Sequence, residues 1–252
     1  MIKIENVEVL GWEHAIRGMR NPKNSWGRSD SHFEFGQVLC KDCANTDKNP
    51  CGQNCLDVGP NDHDLMMRLA KGGPVHAKYR RMITVYLDIT APLYWWKEFD
   101  TYKVGTVANS CSTMHKIHAK EFTLEDFSCE HLMGFDNSNY WEEDDDNACF
   151  IENKVDGKRC QVITPKSMLE EFIIPMLNTA REKYIKTKDK KYWWQMIQLL
   201  PSSYNQKRTV MLNYEVLAGI YPSRKDHRLD EWHVFCDWIK SLPYSELITG
   251  KD

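Results

Sequence analysis

Two clusters of side chains in this 252-residue chain have the types and spacing for chemistry. The first is Asn109-Ser110-Cys111-Ser112-Thr113, a dense row of small hydrogen-bonding groups. Such a row, with its backbone N–H groups, can cradle a phosphate or a base; the plain alternative is an ordinary polar turn. Cys111 has no recognisable base beside it in sequence and is not expected to act as a nucleophile. The second cluster is Cys40, Cys43, Cys51 and Cys55. C-x2-C spacing lets two thiolates reach one ion, the C-x3-C pair is slightly wider, and Pro50 and Gly52 allow tight turns. Four sulfurs suit tetrahedral zinc in a structural site, because no coordination position is left open. An iron–sulfur cluster is the alternative metal reading, and a loop of free thiols the reading without metal. Basic residues form two smaller groups. His76, Lys78, Arg80 and Arg81 stand where a charged ligand could approach, or form the solvated side of an entering strand. Arg17 and Arg20, three apart on one helix face, can clamp a phosphate or serve as surface ion-pair partners.

These groups need elements to hold them. Residues 82–90, MITVYLDIT, read as a central strand from their β-branched and aromatic content. Ala91-Pro92 then signals a helix start. Trp95, Phe99 and Tyr102 recur at i, i+4 and i+7, so the spacing predicts a core-facing helix over 93–103 that ends at Gly105. Residues 2–10 alternate as an opening strand, 13–19 and 62–71 read as helices, and 149–162 read as a hairpin turning on Asp156-Gly157. Helices are expected over 124–133, 165–188, 190–200, 209–220 and 227–242. The acidic stretch 136–147 reads as a solvated loop rather than a metal site, since like charges in sequence repel. Strands first and helices largely later fit an α+β fold. Without internal repeats, residues 1–252 are expected to form a single domain with a Cys-rich insertion at about 37–58.

Composition excludes several classes. A net charge of −3 and a pI near 6.3 argue against a general nucleic-acid binder. No apolar run approaches the roughly 20 residues needed to span a bilayer, and the N-terminus lacks a signal peptide's apolar centre. The expectation is therefore a cytoplasmic protein with neither nucleic acid nor membrane as partner. Nine cysteines in a reducing compartment point to thiols or metal ligands rather than disulfides. Nine tryptophans exceed what a core of this size needs, which points to a homo-oligomer.

Two blocks together resemble the flavin-dependent thymidylate synthases. Ala91-Pro92 and the helix after it match the family's helix, with Thr101-Tyr102-Lys103 standing where the family has Arg-His-Arg. Residues 109–115 match its nucleotide loop after one extra residue, with Ser110 in place of the Glu and Met114 in place of the Arg. Leu200-Pro201, Asn213 and Arg224 keep the spacing of the C-terminal block, and His227 falls one position early. The resemblance covers roughly 70–116 and 195–240. It implies an α+β fold with a central, mostly antiparallel sheet flanked by helices, here carrying the Cys-rich insertion. It also implies an enzyme that transfers a one-carbon group to a pyrimidine deoxynucleotide, dUMP or a relative, with FAD as cofactor, folate and NADPH as further partners, and a homotetramer. By that resemblance Arg224 is catalytic, polarising the N3 side of the pyrimidine. Glu98, Asn109, Ser110, Ser112, Thr113 and Met114 bind nucleotide, with Arg17, Arg20 or Lys116 to supply the charge missing at Met114. His76, Lys78, Tyr102, Lys103 and Asn213 bind the flavin. Two non-catalytic alternatives keep the scaffold: a nucleotide-binding or regulatory protein, and a metal-stapled interaction protein. The cysteine cluster makes the first prediction. Elemental analysis of freshly purified protein is expected to show one zinc per chain, and a trace below stoichiometry for both zinc and iron would refute it.

Overall fold

The computed structural model describes residues 2–34, 55–134, 151–155 and 158–250. Its main sheet has four strands in the order β1-β4-β8-β5, mostly antiparallel and flanked by helices, as the α+β reading expected. In chain order the strands are β1 (Lys3–Leu10), β2 (His32–Glu34), β3 (Cys55–Asp57), β4 (Thr84–Pro92), β5 (Val107–Ser110), β6 (Ile151–Val155), β7 (Lys158–Ile163) and β8 (Asn205–Asn213). The helices are α1 (Trp12–Arg20), α2 (Pro60–Lys71), α3 (Leu93–Phe99), α4 (Pro165–Ser167), α5 (Ile174–Thr187), α6 (Lys190–Leu199), α7 (Tyr214–Arg224), α8 (Asp230–Ser241) and α9 (Glu246–Thr249). Short antiparallel ladders join β2 to β3 and β6 to β7. In β4 the inward set Val85, Leu87, Ile89 and Ala91 is buried at period two, which fixes the register of a half-buried strand.

The chain clusters into two compact units. One comprises 4–88, 100–109 and 209–252, the other 1–3, 89–99 and 110–208. In the first, Asn6 adopts a left-handed φ of 52° within β1, and its amide donates to Asp88 on β4 (2.9 Å). Thr209 on β8 donates to the other Asp88 oxygen (2.6 Å), so one carboxylate ties three strands. Gly11 enters α1 at φ 91°, where a Cβ would lie 2.0 Å from the Met82 carbonyl oxygen. Only glycine fits that approach. Asp62, fully buried in α2, accepts from Arg20 Nε (2.6 Å), from the hydroxyls of Ser29 and Ser31 (2.7 Å each), and from the Asp30 and Ser31 N–H groups. Arg80, in the 3-10 segment Ala77–Met82, donates to Glu215 (2.8 Å) and to the Leu247 carbonyl (3.0 Å), docking α9. Tyr79 and Tyr214 donate to the Met66 and Pro243 carbonyls, and burial pushes both phenols up, keeping them neutral donors.

In the second unit the core gathers Ile117, Phe122, Phe127, Leu169, Leu177, Ala180 and Met196. Asn178 receives the Phe122 N–H and donates to the Phe122 carbonyl, fixing the 117–127 segment to α5. The first N–H groups of α3, from Leu93 and Tyr94, are taken by the Tyr204 and Ser202 carbonyls.

Several boundaries differ from the sequence reading. Residues 165–187 are not uniform: α4 leads into a π segment, Met168–Ile173, before α5. Pro175 supplies no N–H to the fourth carbonyl before it, and the wider turn absorbs that loss. The expected helix over 124–133 is only a 3-10 turn, Leu124–Asp126: Asp126 closes a capping box with Thr123 that starts the turn, and Phe127, in extended backbone and bridged to Tyr204, ends it. The expected helix over 209–220 begins instead as β8, and 93–103 is helical only to Phe99. The 109–113 row opens as the end of β5 rather than as a loop. Strands β6 and β7 bear out the hairpin, while its tip, the acidic stretch 136–147 and most of the 37–58 insertion lie outside the described residues.

Asp62 carries a prediction. Burial pushes its carboxyl up, but the donors from Ser29, Ser31, Arg20 and the Asp30 N–H outweigh this and hold it below the usual carboxylate value. Its stabilisation is therefore present above about pH 4 and lost as pH falls through the depressed folded value. Asp62→Ala leaves Arg20 buried and unpaired, a loss of about 3–5 kcal/mol. Urea denaturation at neutral pH should read that loss, and the gap from wild type should narrow in acid.

Candidate functional site

The expected site residues divide between the two units, and each group is built within its own. In the first unit, Arg224 is the last residue of α7. Its Nε donates to the Tyr102 hydroxyl at 2.7 Å. Its guanidinium carbon lies 4.6 Å from the Trp232 ring centroid and 5.5 Å from that of Tyr102. Trp232 on α8 is fully buried, and Tyr102 meets it edge-on at 6.1 Å. The His227 N–H bonds to the Arg224 carbonyl (3.1 Å), and its ring Nδ1 accepts from the Leu229 N–H (3.1 Å). A neutral His227 therefore carries its proton on Nε2. The result is a cation laid against an immobile indole and fixed at one edge by a phenol, a preorganised charge of the kind that stabilises a developing anion. His227 also lines a cleft of about 460 Å³ with Lys225, His233 and Cys236. Burial pushes the Cys236 thiol up to about 11, so at neutral pH it presents no thiolate there.

Asn213 is the N-cap of α7, where its side-chain oxygen accepts the Val216 N–H (3.0 Å). The chain after Lys103 turns at Gly105 (φ 80°), where a Cβ would lie 3.1 Å from the Asn213 amide nitrogen. The structure thus gathers Tyr102 with Arg224, and Gly105 with Asn213. His76 and Lys78 are exposed, and the His76 ring lies over Gly72 at the end of α2. They ride on the segment whose Arg80 pairs with Glu215 in the first turn of α7. Arg224 is at the other end of that helix, about 14 Å along the axis by its length. Arg80 and Arg20 are buried structural cations, not ligand sites. Asn109 is exposed on β5.

In the second unit, Cys111 N–H bonds to the Lys207 carbonyl (2.9 Å), extending the pairing of β5 with β8. Ser112 Oγ accepts the N–H groups of Met114 (3.2 Å) and His115 (2.9 Å). Two backbone donors that an anion would use are thus already engaged within the turn. The Trp193 indole N–H holds the Met114 carbonyl (3.0 Å). Ser110 and Met114 are exposed, Ser112 and Thr113 half-buried, and Glu98 half-buried in the last turn of α3. Burial pushes the Tyr204 phenol up, with Asp126 and Cys111 adding to the effect.

Two residues beside this turn escaped the sequence reading. Gln206, buried, donates through Nε2 to the Cys111 carbonyl (2.7 Å) and accepts from Arg208 Nε (3.0 Å). Arg208 lies 4.2 Å from the Trp96 ring centroid. Neither carries a mark in the sequence: residues 206–213, QKRTVMLN, show no apolar/polar alternation, and only the pairing of β8 as a strand puts Gln206 and Arg208 on one face. Trp232 is both core and cation platform.

Among the described residues no group of three or more His, Cys, Asp or Glu side chains is arranged to hold a metal. Cys40, Cys43 and Cys51 lie outside those residues and Cys55 opens β3, so the four-thiolate expectation falls outside what the structure describes. Among the described residues no helix is long and apolar enough to cross a membrane.

Tyr102→Phe keeps the ring against Trp232 and removes the bond to Arg224. A hydrogen bond to a charged group contributes about 1.5–3 kcal/mol when buried, and solvent screening at this half-exposed site lowers that to about 1 kcal/mol. Thermal denaturation is expected to show a drop of about 2–4 °C; an unchanged midpoint would mean the bond holds nothing in place.

No protein-family profile matches the chain, and no curated protein matches it by sequence. Solved structures do. A flavin-dependent thymidylate synthase from Helicobacter pylori, complexed with FAD and dUMP, aligns over 98% of this chain and 98% of its own, with a TM-score of 0.59 and 13% identity. A second structure of that enzyme with FAD and dUMP covers 99% and 98%, at 0.57 and 12%. A UMP/dUMP methylase from Streptomyces cacaoi bound with 5-Br dUMP covers 99% and 95%, at 0.52 and 14%. Identity this low speaks to architecture and not to chemistry. In architecture, then, this chain has the fold of the flavin-dependent thymidylate synthases.

Proposed function

We propose that this protein is a flavin-dependent enzyme that transfers a one-carbon group to a pyrimidine deoxynucleotide, dUMP or a close relative, with residues 1–252 acting as one thymidylate synthase-like domain. The observation that carries this reading is Arg224, bonded to Tyr102 and lying 4.6 Å from the buried Trp232 ring. Charge develops on the N3 side of a pyrimidine ring when C5 is made nucleophilic, and a cation fixed beforehand stabilises it without reorganising at the moment of reaction. The fold supports the substrate class, since its neighbours hold dUMP or 5-Br dUMP.

FAD fits the side chains of the first unit. His76, Lys78 and Lys103 are exposed basic groups of the kind a diphosphate needs, and the Asn213 amide nitrogen sits beside a glycine that leaves it close access. Tyr102, whose hydroxyl is bonded to Arg224, orients that arginine instead of contacting the cofactor through its oxygen. When bound, the flavin supplies the hydride that completes the transferred carbon as a methyl group. The side chains bind, orient and neutralise charge. Folate as carbon donor, NADPH as reductant and a homotetramer belong to the same proposal.

The reading is tested on native protein. The purified chain is expected to show a flavin absorbance spectrum, to bind dUMP in calorimetry, and to convert it when given methylene-tetrahydrofolate and NADPH. Arg224→Ala should reduce turnover by about 10²–10³-fold while dUMP affinity changes by less than about tenfold. A colourless protein that still binds dUMP would move the assignment to the non-catalytic scaffold, and one that binds no pyrimidine nucleotide at millimolar concentration would end it.

A further inference from the structure

The turn that follows β5 lacks its own cation, with Met114 where the resembling family has arginine. Of the residues expected to compensate, Arg20 is buried on Asp62. Arg17 is exposed on α1 in the other unit, and Lys116 is an exposed flexible point charge. The turn's backbone is no substitute, because the Met114 and His115 N–H groups are held by Ser112 Oγ. Ser112 can still donate its hydroxyl hydrogen, but a phosphate dianion in this unit needs a positive charge as well.

Arg208 is placed to be that charge. Its guanidinium lies 4.2 Å from the centroid of Trp96, an indole 1% exposed whose N–H is pinned to the Gln206 carbonyl at 2.9 Å. Its Nε donates to Gln206 Oε1, and the same amide donates to the Cys111 carbonyl at 2.7 Å. The residue before it, Lys207, accepts the Cys111 N–H. Arg208 is therefore knitted, through one buried amide and one backbone bond, to the residue that opens the turn. A planar guanidinium oriented by an aromatic platform loses little freedom on binding an oxyanion and engages it as a fork, which a lysine cannot do.

We propose that Arg208 is the cation of a phosphate subsite at the 110–114 turn, and that it selects a nucleoside monophosphate over the unphosphorylated nucleoside. This rests on the nucleotide reading above and adds to it the residue that recognises the phosphate. The test is a thermodynamic cycle by calorimetry on the full chain, with dUMP and 2′-deoxyuridine as probes against wild type, Arg208→Gln and Arg208→Lys. Wild type should prefer dUMP. Arg208→Gln should weaken dUMP about ten- to a hundredfold, the range for one charge-assisted hydrogen bond, while 2′-deoxyuridine changes by less than about twofold. Arg208→Lys, with charge but no fork, should fall between, and the melting midpoints of both variants should drop by no more than about 2–4 °C, the loss of the bond to Gln206. A dUMP-to-nucleoside preference that is the same in wild type and Arg208→Gln, whether both ligands are kept or both weakened together, overturns the assignment and makes Arg208 structural. Wild type binding neither probe overturns the nucleotide reading itself.

Discussion

The strand-to-helix switch at Asn213 is the joint on which the remaining geometry depends. Upstream of it, β8 lies between β4 and β5 and carries Gln206 and Arg208. Downstream, α7 carries Arg224 at its far end. Asn213 makes the switch by leaving the helical region (φ −137°, ψ 169°) and giving its side-chain oxygen to the Val216 N–H. An N-cap of this type contributes about 1 kcal/mol. That is small beside the burial of Val210, Leu212, Tyr214 and Leu217 on either side. The cap's importance is positional: it sets the residue at which the helix begins, and so which residues share the face that carries Arg224.

Two kinds of arginine emerge, and burial separates them. Arg20 and Arg80 are nearly inaccessible, each paired with a carboxylate and a backbone carbonyl. Buried charges satisfied in this way hold chain segments together, and removing one partner is costly. Arg224 and Arg208 are half-buried and lie against tryptophan rings. A guanidinium on an aromatic face keeps its charge while losing little solvation, which suits a group meant to meet a ligand. The sequence marks Arg224 only through the family resemblance, offers Arg20 and Arg80 as cations that could meet a ligand, and leaves Arg208 unmarked.

What could be read in advance follows from the range of the forces involved. The β4 pattern, the α3 aromatics Trp95 and Phe99, and the C-terminal helix are set by local periodicity, and they were legible. So was the fold, through the ordered spacing of Ala91-Pro92, Leu200-Pro201, Asn213 and Arg224. The stretch 209–220 was misread because TVMLN is a short apolar run that suits strand or helix, and only pairing with neighbouring strands decides between them. Residues 124–133 failed for a different reason: the Thr123–Asp126 capping box starts a helical turn, but Phe127 is held in extended backbone by its bridge to Tyr204, a partner distant in sequence. Tyr102 was legible as an aromatic but not as a partner of Arg224, since that contact joins residues 122 apart. Arg208 was hidden because its role depends on an amide, Gln206, that no motif marks.

The left-handed Asn6 has a consequence for how copies of this chain can meet. β1 is an edge of the main sheet, and an exposed edge with free N–H and C=O groups invites another chain to add a strand. With φ at 52°, Asn6 departs from extended backbone midway along β1, and its exposed side chain bonds to Asp88. Lys3, Glu5 and Glu8 add charge along the same strand. The opposite edge, β5, is four residues long. Neither edge of the main sheet offers a flat template for sheet-to-sheet growth, so strand addition at these two edges is disfavoured.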